Sequence, residues 1–290
     1  MTGFSIRRLC GILDTIETGG GMMLFHTKNG TLSMDGTTMD YIRFGTGADT
    51  LIMLPGLGDG LRSMKGTALP LALIYRIFAR DFTVYAFSRK HDLPEGYTTR
   101  DMAQDVKAAM DALGIEKTHL FGVSMGGMIA QHFAADYPDR TKKLILAVTC
   151  PCSNPILEAS IREWVACVQR EDHAALMDSN LRRIYSDACY RKNKYLIPII
   201  SKLTRPKSYN RFLVQTNACL THDARNRLSE IRAEALVIGG EQDRCLGGEA
   251  SRDIAGKIPG SILKMYPKWG HGVYEEATDF NKILLHFLLS

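Results

Sequence analysis

The sequence has no apolar run long enough to cross a membrane. Its amino-terminal apolar stretch ends at Asp14, so it is also too short for the core of a signal peptide. Internal repeats and low-complexity tracts are absent as well, which excludes a repeat protein. We therefore expect a globular protein without stable membrane insertion. The three glycines at 19–21 predict a loosely held extension over residues 1–21.

Paired cysteine spacing is also missing. The seven cysteines are dispersed without a Cys-x-x-Cys pair, so neither a disulfide framework nor a zinc site is indicated. Cys150 and Cys152 are the nearest approach to a pair, and we interpret them as ordinary thiols near the end of a strand. We expect seven reduced thiols, a cytoplasmic location, and no metal or cofactor.

A strong charge of either sign is absent too. The chain has 36 basic and 31 acidic residues, and a net charge of +5 does not predict a nucleic-acid partner. The excess is local, because residues 151–225 contain twelve basic and seven acidic residues. With 290 residues, of which 45% are hydrophobic, the chain can form one large domain or a core with an insertion.

The sequence does contain short apolar strands that alternate with amphipathic helices. Predicted strands cover residues 50–54, 82–87, 118–123, 143–148, 234–239 and 261–266. Predicted helices include 67–79, 100–113 and 275–289. This alternation predicts an α/β protein with a doubly wound, mostly parallel sheet. At its edge, strands 22–30 and 31–45 are predicted to form a hairpin that turns at Asn29–Gly30, with Asp35–Gly36 as a further turn.

One stretch between two predicted elements has the pattern Gly-x-Ser-x-Gly, formed by Gly122, Ser124 and Gly126. It follows strand 118–123 and precedes an apolar helix that ends near Pro138. A serine at a sharp strand-to-helix turn is a nucleophile elbow, and its tight backbone requires glycines on both sides. This order of elements predicts Ser124 as a catalytic nucleophile rather than a helix cap.

A nucleophilic serine needs a general base and a carboxylate that orients the base. His271 lies in a glycine-flanked loop after the last predicted strand, and His91 is the other plausible base. Asp243 follows the next-to-last predicted strand, where Glu241 and Asp253 compete with it. We predict His271 as the base and Asp243 as the acid, in the chain order expected for this elbow.

The oxyanion of such a reaction needs two hydrogen-bond donors. Met125 follows the predicted nucleophile at the start of a helix, so its backbone amide faces the site. The glycine-rich turn at residues 55–58 follows strand 50–54 and can aim the amide of Leu57 at the same place. We predict these two backbone amides as the oxyanion hole.

These motifs together resemble the α/β-hydrolase superfamily, in particular its capped esterase, lactonase and carbon–carbon bond hydrolase branch. The resemblance covers roughly residues 38–290. The segments that carry it are 54–58, 122–127, 240–243 and 270–272. The sequence departs from many members at Pro55, where they have histidine. It has Ser124 where dehalogenases and epoxide hydrolases have aspartate, so those two activities are not expected.

The resemblance implies a helical lid between the sixth core strand and the strand that bears the acid. Residues 151–225, which are helix-like without a convincing strand, occupy that gap. The implied organisation is a core formed by residues 1–150 and 226–290, with the lid inserted between them. Within the lid, Pro198 predicts a helix kink.

A basic stretch lies inside the predicted lid. Residues 182–211 contain nine basic residues and a single acid, Asp187, with four tyrosines and the apolar run 196–200 between them. We interpret the stretch first as the solvated outer face of helices. The alternative is a surface near the pocket entrance that attracts acidic substrates or an anionic surface.

The sequence therefore predicts a serine hydrolase that cleaves a small or medium ester, thioester or lactone through a Ser–His–Asp triad and an acyl-enzyme. The expected partner is a small-molecule acyl substrate, neutral or anionic. Two alternatives stay open: a carbon–carbon bond hydrolase with the same triad, and a ligand-binding or signalling member of the fold with little turnover. Of the two hydrolase reactions, we expect ester-type cleavage.

Overall fold

The structure, a computed structural model, describes residues 25–290. Its strands are β1 (Lys28–Met34), β2 (Thr37–Phe44), β3 (Asp49–Leu54), β4 (Phe82–Lys90), β5 (Thr118–Val123), β6 (Thr141–Ala147), β7 (Glu234–Gly240) and β8 (Ile262–Tyr266). They form one sheet in the order β1-β2-β4-β3-β5-β6-β7-β8. Strands β3 to β8 are parallel, and β1 and β2 pair antiparallel at one edge. The predicted α/β fold with a mostly parallel sheet is confirmed.

The central strands are buried on both faces. Every residue of β5 is buried, as are the last four residues of β3 and of β6. Helices cover both sides of a parallel sheet, so its strands are continuous apolar runs rather than alternating ones. The carboxyl ends of these strands meet at one edge of the sheet, and the loops at this edge carry the predicted site residues.

The hairpin at the edge of the sheet turns at a different place from the predicted one. The dipeptide at 29–30 lies inside β1, and the chain reverses at Asp35 and Gly36. These two residues have positive φ angles of 40° and 81°, as a two-residue hairpin turn that follows the strand twist requires. The predicted strands 22–30 and 31–45 are therefore wrong in their boundary. The first three of those residues lie outside the described part of the chain.

Helices cover both faces of the sheet and connect its strands along the chain. They are α1 (Ala68–Ile74), α2 (Thr99–Ala112), α3 (Met125–Asp136), α4 (Pro155–Gln169), α5 (His173–Ile184), α6 (Asp187–Asn193), α7 (Ile197–Thr204), α8 (Asn210–Leu220), α9 (Glu249–Lys257), α10 (Val273–Glu276) and α11 (Phe280–Leu289). Buried residues of α2 and α3 belong to one apolar core, and those of α1 and α11 belong to a second. The two cores lie on opposite faces of the sheet, as expected for a doubly wound fold.

Five of these helices, α4 to α8, occupy the connection between β6 and β7. An isolated bridge between Cys152 and Asp223 joins the two ends of this connection. The buried residues of α4, including Leu157 and Ile161, belong to the same apolar core as α2 and α3. The connection therefore packs on the core of the fold through the inner faces of its helices.

Two predictions about helices are wrong. Pro198 does not kink a helix, because it lies in the first turn of α7, where its missing N–H has no intrahelical acceptor in any case. The predicted helix 275–289 is two helices, α10 and α11, separated by the extended residue Ala277. Glu276, at the end of α10, accepts a hydrogen bond from the Ser186 side chain at 2.6 Å, which connects this short helix to the start of α6.

Candidate active site

Ser124 lies at the junction of β5 and α3, with φ 54° and ψ −121°. A residue with a side chain is strained in this conformation, and such strain is concentrated at functional sites. A Cβ atom at Gly122 would lie 2.5 Å from the carbonyl oxygen of Gly126, and one at Gly126 would lie 2.0 Å from that of Leu54. Only glycine permits these approaches, so the two flanking glycines allow the sharp turn that exposes the serine.

The predicted base and acid meet at this serine. His271 Nε2 lies 3.0 Å from Ser124 Oγ, and His271 Nδ1 lies 2.8 Å from Asp243 Oδ2. The other oxygen of Asp243 accepts from the backbone amides of Cys245 and Leu246 at 2.7 and 2.9 Å. A carboxylate held in this way places the imidazole proton on Nδ1 and leaves Nε2 free as an acceptor. The arrangement can therefore take a proton from the Ser124 hydroxyl.

The competing residues have partners outside this cluster. Glu241 forms an ion pair with Arg252, and Asp253 pairs with a lysine one helical turn further on, at 2.9 Å. His91 Nε2 lies 2.7 Å from the carboxylate of Asp40. Among the candidate acids and bases, the structure therefore brings only Asp243 and His271 together beside Ser124.

The two predicted amide donors each begin a helical turn. Met125 is the first residue of α3, and Leu57 is the first residue of a 3₁₀ turn that follows β3. Amides in a first helical turn have no acceptor within their own helix. Both residues line the same pocket as Ser124, and a Cβ at Gly56 would lie 3.3 Å from the Ser124 Cβ. The two amides can therefore donate to an oxygen held beside the serine.

Sequence reasoning missed a buried polar cluster behind the Leu57 turn. Arg89, at the end of β4, donates from Nη2 to the carbonyl of Pro55, and its backbone amide donates to Asp59 Oδ2 at 3.0 Å. Arg211 of α8 binds the same carboxylate and donates from Nε to the carbonyl of Lys90 at 3.0 Å. Burial lowers the pKa of Arg89 to about 10, although Asp59 opposes this, so the guanidinium remains charged at neutral pH.

Two signals in the sequence mark this cluster. Arg89 and Lys90 lie at the carboxyl end of an apolar strand, and Asp59 lies between Gly58 and Gly60, so charged residues occur where burial is expected. Buried charges are paired, and a pairing partner is therefore required. The partner, Arg211, could not be found from the sequence, because it lies 152 positions from Asp59 on a helix of the β6–β7 connection.

The pocket above Ser124 is walled largely by apolar side chains. Helices α4, α5 and α8 contribute Leu157, Ile161, Trp164, Asn180, Ile184 and Phe212. Among the lining residues that the structure describes, none is a lysine or arginine, and Asp59 is the one acidic side chain. The pocket therefore offers a substrate an apolar surface without a lining lysine or arginine, and the charge of its one lining carboxylate is paired with Arg211.

Hydrogen bonds connect the base and acid loops to the helices of the β6–β7 connection. The amide of Gly272 donates to the carbonyl of Ile184 at 2.6 Å. Arg244 Nη2 donates to the carbonyl of Tyr185 at 2.8 Å, and the Tyr185 hydroxyl donates to Glu275 at 2.6 Å. Burial raises the pKa of Tyr185 well above its usual range, so the hydroxyl keeps its proton. The position of these helices is thereby linked to the loop that bears His271.

Within residues 25–290, one group of side chains could offer three ligands to a metal. Ligand atoms of Asp243, Cys245 and His271 lie within 4.8 Å of one another. Both oxygens of Asp243 already accept hydrogen bonds. Burial raises the pKa of the Cys245 thiol well above its usual range, which disfavours the thiolate that a metal binds. This donor set therefore suits proton transfer better than metal coordination.

Two observations on residues 25–290 relate to the predicted cellular compartment. All six cysteines between residues 25 and 290 are free thiols, and Cys10 lies outside this range. No helix in the described range combines the length and the apolar character needed to span a membrane. The cytoplasmic location stays a prediction.

Comparison with known sequences identifies related hydrolases. A family model of the alpha/beta hydrolase fold matches residues 49–166. The 2-hydroxy-6-oxononadienedioate/2-hydroxy-6-oxononatrienedioate hydrolase of Comamonas testosteroni is 30% identical over 194 residues, which are 64% of this chain and 68% of the relative. The 2-hydroxy-6-oxo-6-phenylhexa-2,4-dienoate hydrolase of Burkholderia cepacia is 31% identical over 194 residues, with the same two coverages.

Comparison with solved structures gives the same fold. The enol-lactonase from Burkholderia xenovorans LB400 has a TM-score of 0.76 at 24% identity and covers 90% of this chain and 100% of its own. An alpha/beta hydrolase enzyme from a Medee basin deep-sea metagenome library, MGS-M2, has a TM-score of 0.78 at 22% identity, with coverages of 90% and 98%. At these identities the likeness concerns the fold alone.

Proposed function

This chain belongs to the α/β-hydrolase family, and we propose that it is a serine hydrolase of uncharged esters, thioesters or lactones. Ser124 is the nucleophile, His271 the general base and acid, and Asp243 the carboxylate that orients the imidazole. The observation that carries the proposal is the 3.0 Å contact between His271 Nε2 and Ser124 Oγ at the base of a largely apolar pocket.

The reaction follows from these contacts. His271 Nε2 accepts the hydroxyl proton while Ser124 Oγ attacks the acyl carbonyl, and the amides of Leu57 and Met125 donate to the resulting oxyanion. His271 then gives the proton to the leaving alkoxide or thiolate, and an acyl-enzyme remains on Ser124. Water loses a proton to the same Nε2 as it attacks the acyl carbon, and His271 then gives this proton to Ser124 Oγ as the acid leaves. Asp243 stabilises the imidazolium in both steps.

The preference for an uncharged substrate rests on the pocket lining. A carboxylate that entered this pocket would lose its hydration without gaining a lining cation. Neutral acyl groups avoid this cost and gain from contact with the apolar walls.

Residues 151–225 form the lid in this proposal, and residues 25–150 and 226–290 form the catalytic core; the predicted extension over residues 1–21 lies outside the described part of the chain. The support is that α4, α5 and α8 contribute side chains to the pocket of Ser124. Substrate size is then set by residues such as Trp164 and Phe212, which lie on lid helices. The reaction itself is carried by the core.

A second candidate is hydrolysis of a carbon–carbon bond with the same three residues. It is favoured by the names of the relatives from Comamonas testosteroni and Burkholderia cepacia, which are hydrolases of a 2-hydroxy-6-oxo dienedioate or trienedioate and of a 2-hydroxy-6-oxo dienoate. The substrates in those names carry one or two carboxylates. The pocket of this chain provides no lining lysine or arginine for such a group, so we rank this candidate second.

A substrate comparison separates the candidates. Purified protein is assayed with p-nitrophenyl pentanoate, mono-p-nitrophenyl glutarate, a neutral lactone and a 2-hydroxy-6-oxo-dienoate. We expect kcat/KM for the neutral ester to exceed that for the glutarate ester by about tenfold or more. Ser124→Ala should remove turnover, whereas the matched control Ser33→Ala, at an exposed serine of β1, should not change it.

Other outcomes would each overturn the proposal in a defined way. Turnover of the dienoate that is faster than that of every neutral ester and lactone would assign the carbon–carbon reaction. Ligand binding without turnover of any substrate would assign a binding or signalling role. Equal kcat/KM for the two nitrophenyl esters would reject the selection for uncharged acyl groups while leaving the serine mechanism intact.

A further inference from the structure

The outer face of α7 exposes large apolar side chains. Ile199 and Leu203, one helical turn apart, are 58% and 73% exposed, and Tyr195 in the preceding 3₁₀ turn is 74% exposed. The opposite face of the same helix packs inward through Ile197 and Ser201, which are buried. The helix is therefore anchored on one side, and on the other side it presents an apolar ridge that is left exposed by residues 25–290.

Positive charges surround this ridge. Residues 191–207 contain six basic residues and no acidic residue. Lys194 places its ammonium group 5.2 Å from the ring centre of Tyr195, and Lys202 is exposed beside Leu203. Arg205 has a long ion pair to Glu171 at 3.7 Å. The basic apolar patch, as we name it, consists of Arg191, Lys192, Lys194, Tyr195, Leu196, Ile199, Lys202, Leu203, Arg205 and Lys207.

We propose that the basic apolar patch docks on the surface of an anionic lipid bilayer. Apolar side chains on an interfacial helix enter the boundary between headgroups and acyl chains, and flanking lysines and arginines contact the anionic headgroups. Both components are present on one short surface element. The proposal goes beyond the hydrolase reaction, since docking does not involve Ser124, Asp243 or His271.

The charge of the patch argues against one other occupant, and its apolar ridge argues against another. A second copy that met this face through two-fold symmetry would place six basic residues against the same six, and like charges disfavour that contact. A nucleic acid would attract the basic residues but would leave Ile199 and Leu203 without an apolar partner, because its affinity comes mainly from phosphate contacts. An anionic bilayer matches both the charge and the apolar ridge.

The patch lies one helix away from the pocket. Thr204 of α7 approaches α5 through its hydroxyl, which is 3.1 Å from His173 Nε2. On α5, Asn180 and Ile184 line the pocket of Ser124. A docked bilayer would therefore lie near the lid side of the site, where apolar substrates dissolved in the bilayer could be taken up.

Vesicle binding measures the proposal directly. The full chain is sedimented with phosphatidylcholine vesicles that contain or lack about one third phosphatidylglycerol, and binding is expected only with the anionic lipid and is expected to fall as salt rises. We expect Leu203→Ser and Lys202→Glu each to weaken binding by about tenfold. The matched controls are Ile262→Ser and Lys264→Glu on the exposed edge strand β8, and these should leave binding unchanged.

A fluorescence variant identifies the occupant. In Tyr195→Trp, the added indole should shift to shorter wavelength on mixing with anionic vesicles and should be quenched by brominated acyl chains. A shift that appears only as protein concentration rises would assign the patch to a second copy, and a shift with RNA would assign it to nucleic acid. Indole emission that is already at short wavelength in dilute protein without vesicles would mean that the chain covers its own patch. Each of these three outcomes, or equal binding to the two kinds of vesicle, would overturn the proposal.

Discussion

The two sides of the pocket are built from different interactions. On the core side, Ser124, Asp243 and His271 lie on separate loops and are joined by hydrogen bonds of 2.8 and 3.0 Å. On the lid side, helices contribute mainly apolar side chains, among them Trp164 and Phe212. Hydrogen bonds are directional, so one changed atom interrupts the core side, whereas apolar contacts change gradually with size. We therefore expect the reaction and the choice of substrate to be separable properties of this chain.

The largest effect on kcat is expected from replacing the acid on the core side of the pocket. Asp243→Asn should lower kcat by about 10³- to 10⁴-fold, because an amide cannot hold His271 in the tautomer that accepts the serine proton. Glu241→Gln is the matched control two positions away, and steady-state kinetics should give a kcat within about twofold of the unchanged protein. If the glutamine variant were the damaged one and the asparagine variant unaffected, the acid would be Glu241.

The backbone of the elbow gives the next largest effect. Gly126→Ala should destabilise the fold by about 3 kcal/mol or more, because the new Cβ would lie 2.0 Å from a backbone carbonyl of β3. The control is Gly256→Ala on the exposed side of α9, where nothing lies within 4 Å; it should stabilise by about 0.5–1 kcal/mol. Urea unfolding measures both. Equal stability of the two variants would mean that the tight turn is not required.

Arg211 tests the connection between the two sides. Arg211→Met leaves the buried Asp59 without its ion-pair partner, and we expect a loss of about 3–5 kcal/mol of unfolding free energy. Arg205→Met, at an exposed arginine of the same segment, should cost less than about 1 kcal/mol. Adding Asp59→Asn to the Arg211 variant should restore part of the loss, because the carboxylate that lost its ion-pair partner is then removed. Additive losses in the double variant would exclude the pairing.

A smaller effect on the free energy of unfolding is expected when the pH is lowered, through two buried histidines outside the active site. His132 of α3 and His222 stack edge to face with ring centres 5.1 Å apart. Burial lowers the pKa of His132 to about 4 and that of His222 to about 3. The unfolded chain has ordinary histidines near 6.5 and binds more protons in this interval, so stability is present above about pH 6.5 and is lost as the pH falls toward 4.

The loss should amount to about 1.4 kcal/mol per pH unit for each of the two histidines. Urea unfolding at pH 7.0, 6.0 and 5.0 measures it. His132→Gln should reduce the slope by about one proton, whereas the control His286→Gln, at an exposed histidine of α11, should not. A slope that is the same in all three proteins would show that the buried pair does not carry the acid sensitivity.

The core side could be located from sequence because its signals are local. Ser124 has glycines at fixed offsets, and Asp243 and His271 follow strands at the edge where parallel strands end. The hairpin was predicted at the wrong dipeptide, because both Asn-Gly and Asp-Gly favour a turn and only strand pairing decides between them. Local patterns also place Pro198 in a helix without telling the first turn from the interior.

The contacts between the two sides could not be located, because they join residues far apart in the chain. Arg211 donates to the carbonyl of Arg89 across 122 positions, and nothing near either residue indicates the other. Residues 182–211 were predicted to be basic surface, and Arg211 within that stretch is instead largely buried. Composition reports the charge of a segment, whereas pairing depends on the packing of α8 against the turn after β3.

Covalent labelling tests the central claim, that Ser124 is the nucleophile, most directly. The protein is treated with a fluorophosphonate probe, digested, and analysed by tandem mass spectrometry. We predict one labelled serine, Ser124, with labelling absent in Ser124→Ala and strongly slowed in His271→Ala while the fold is retained. Labelling of a different serine, or labelling that persists unchanged in Ser124→Ala, would contradict the assignment.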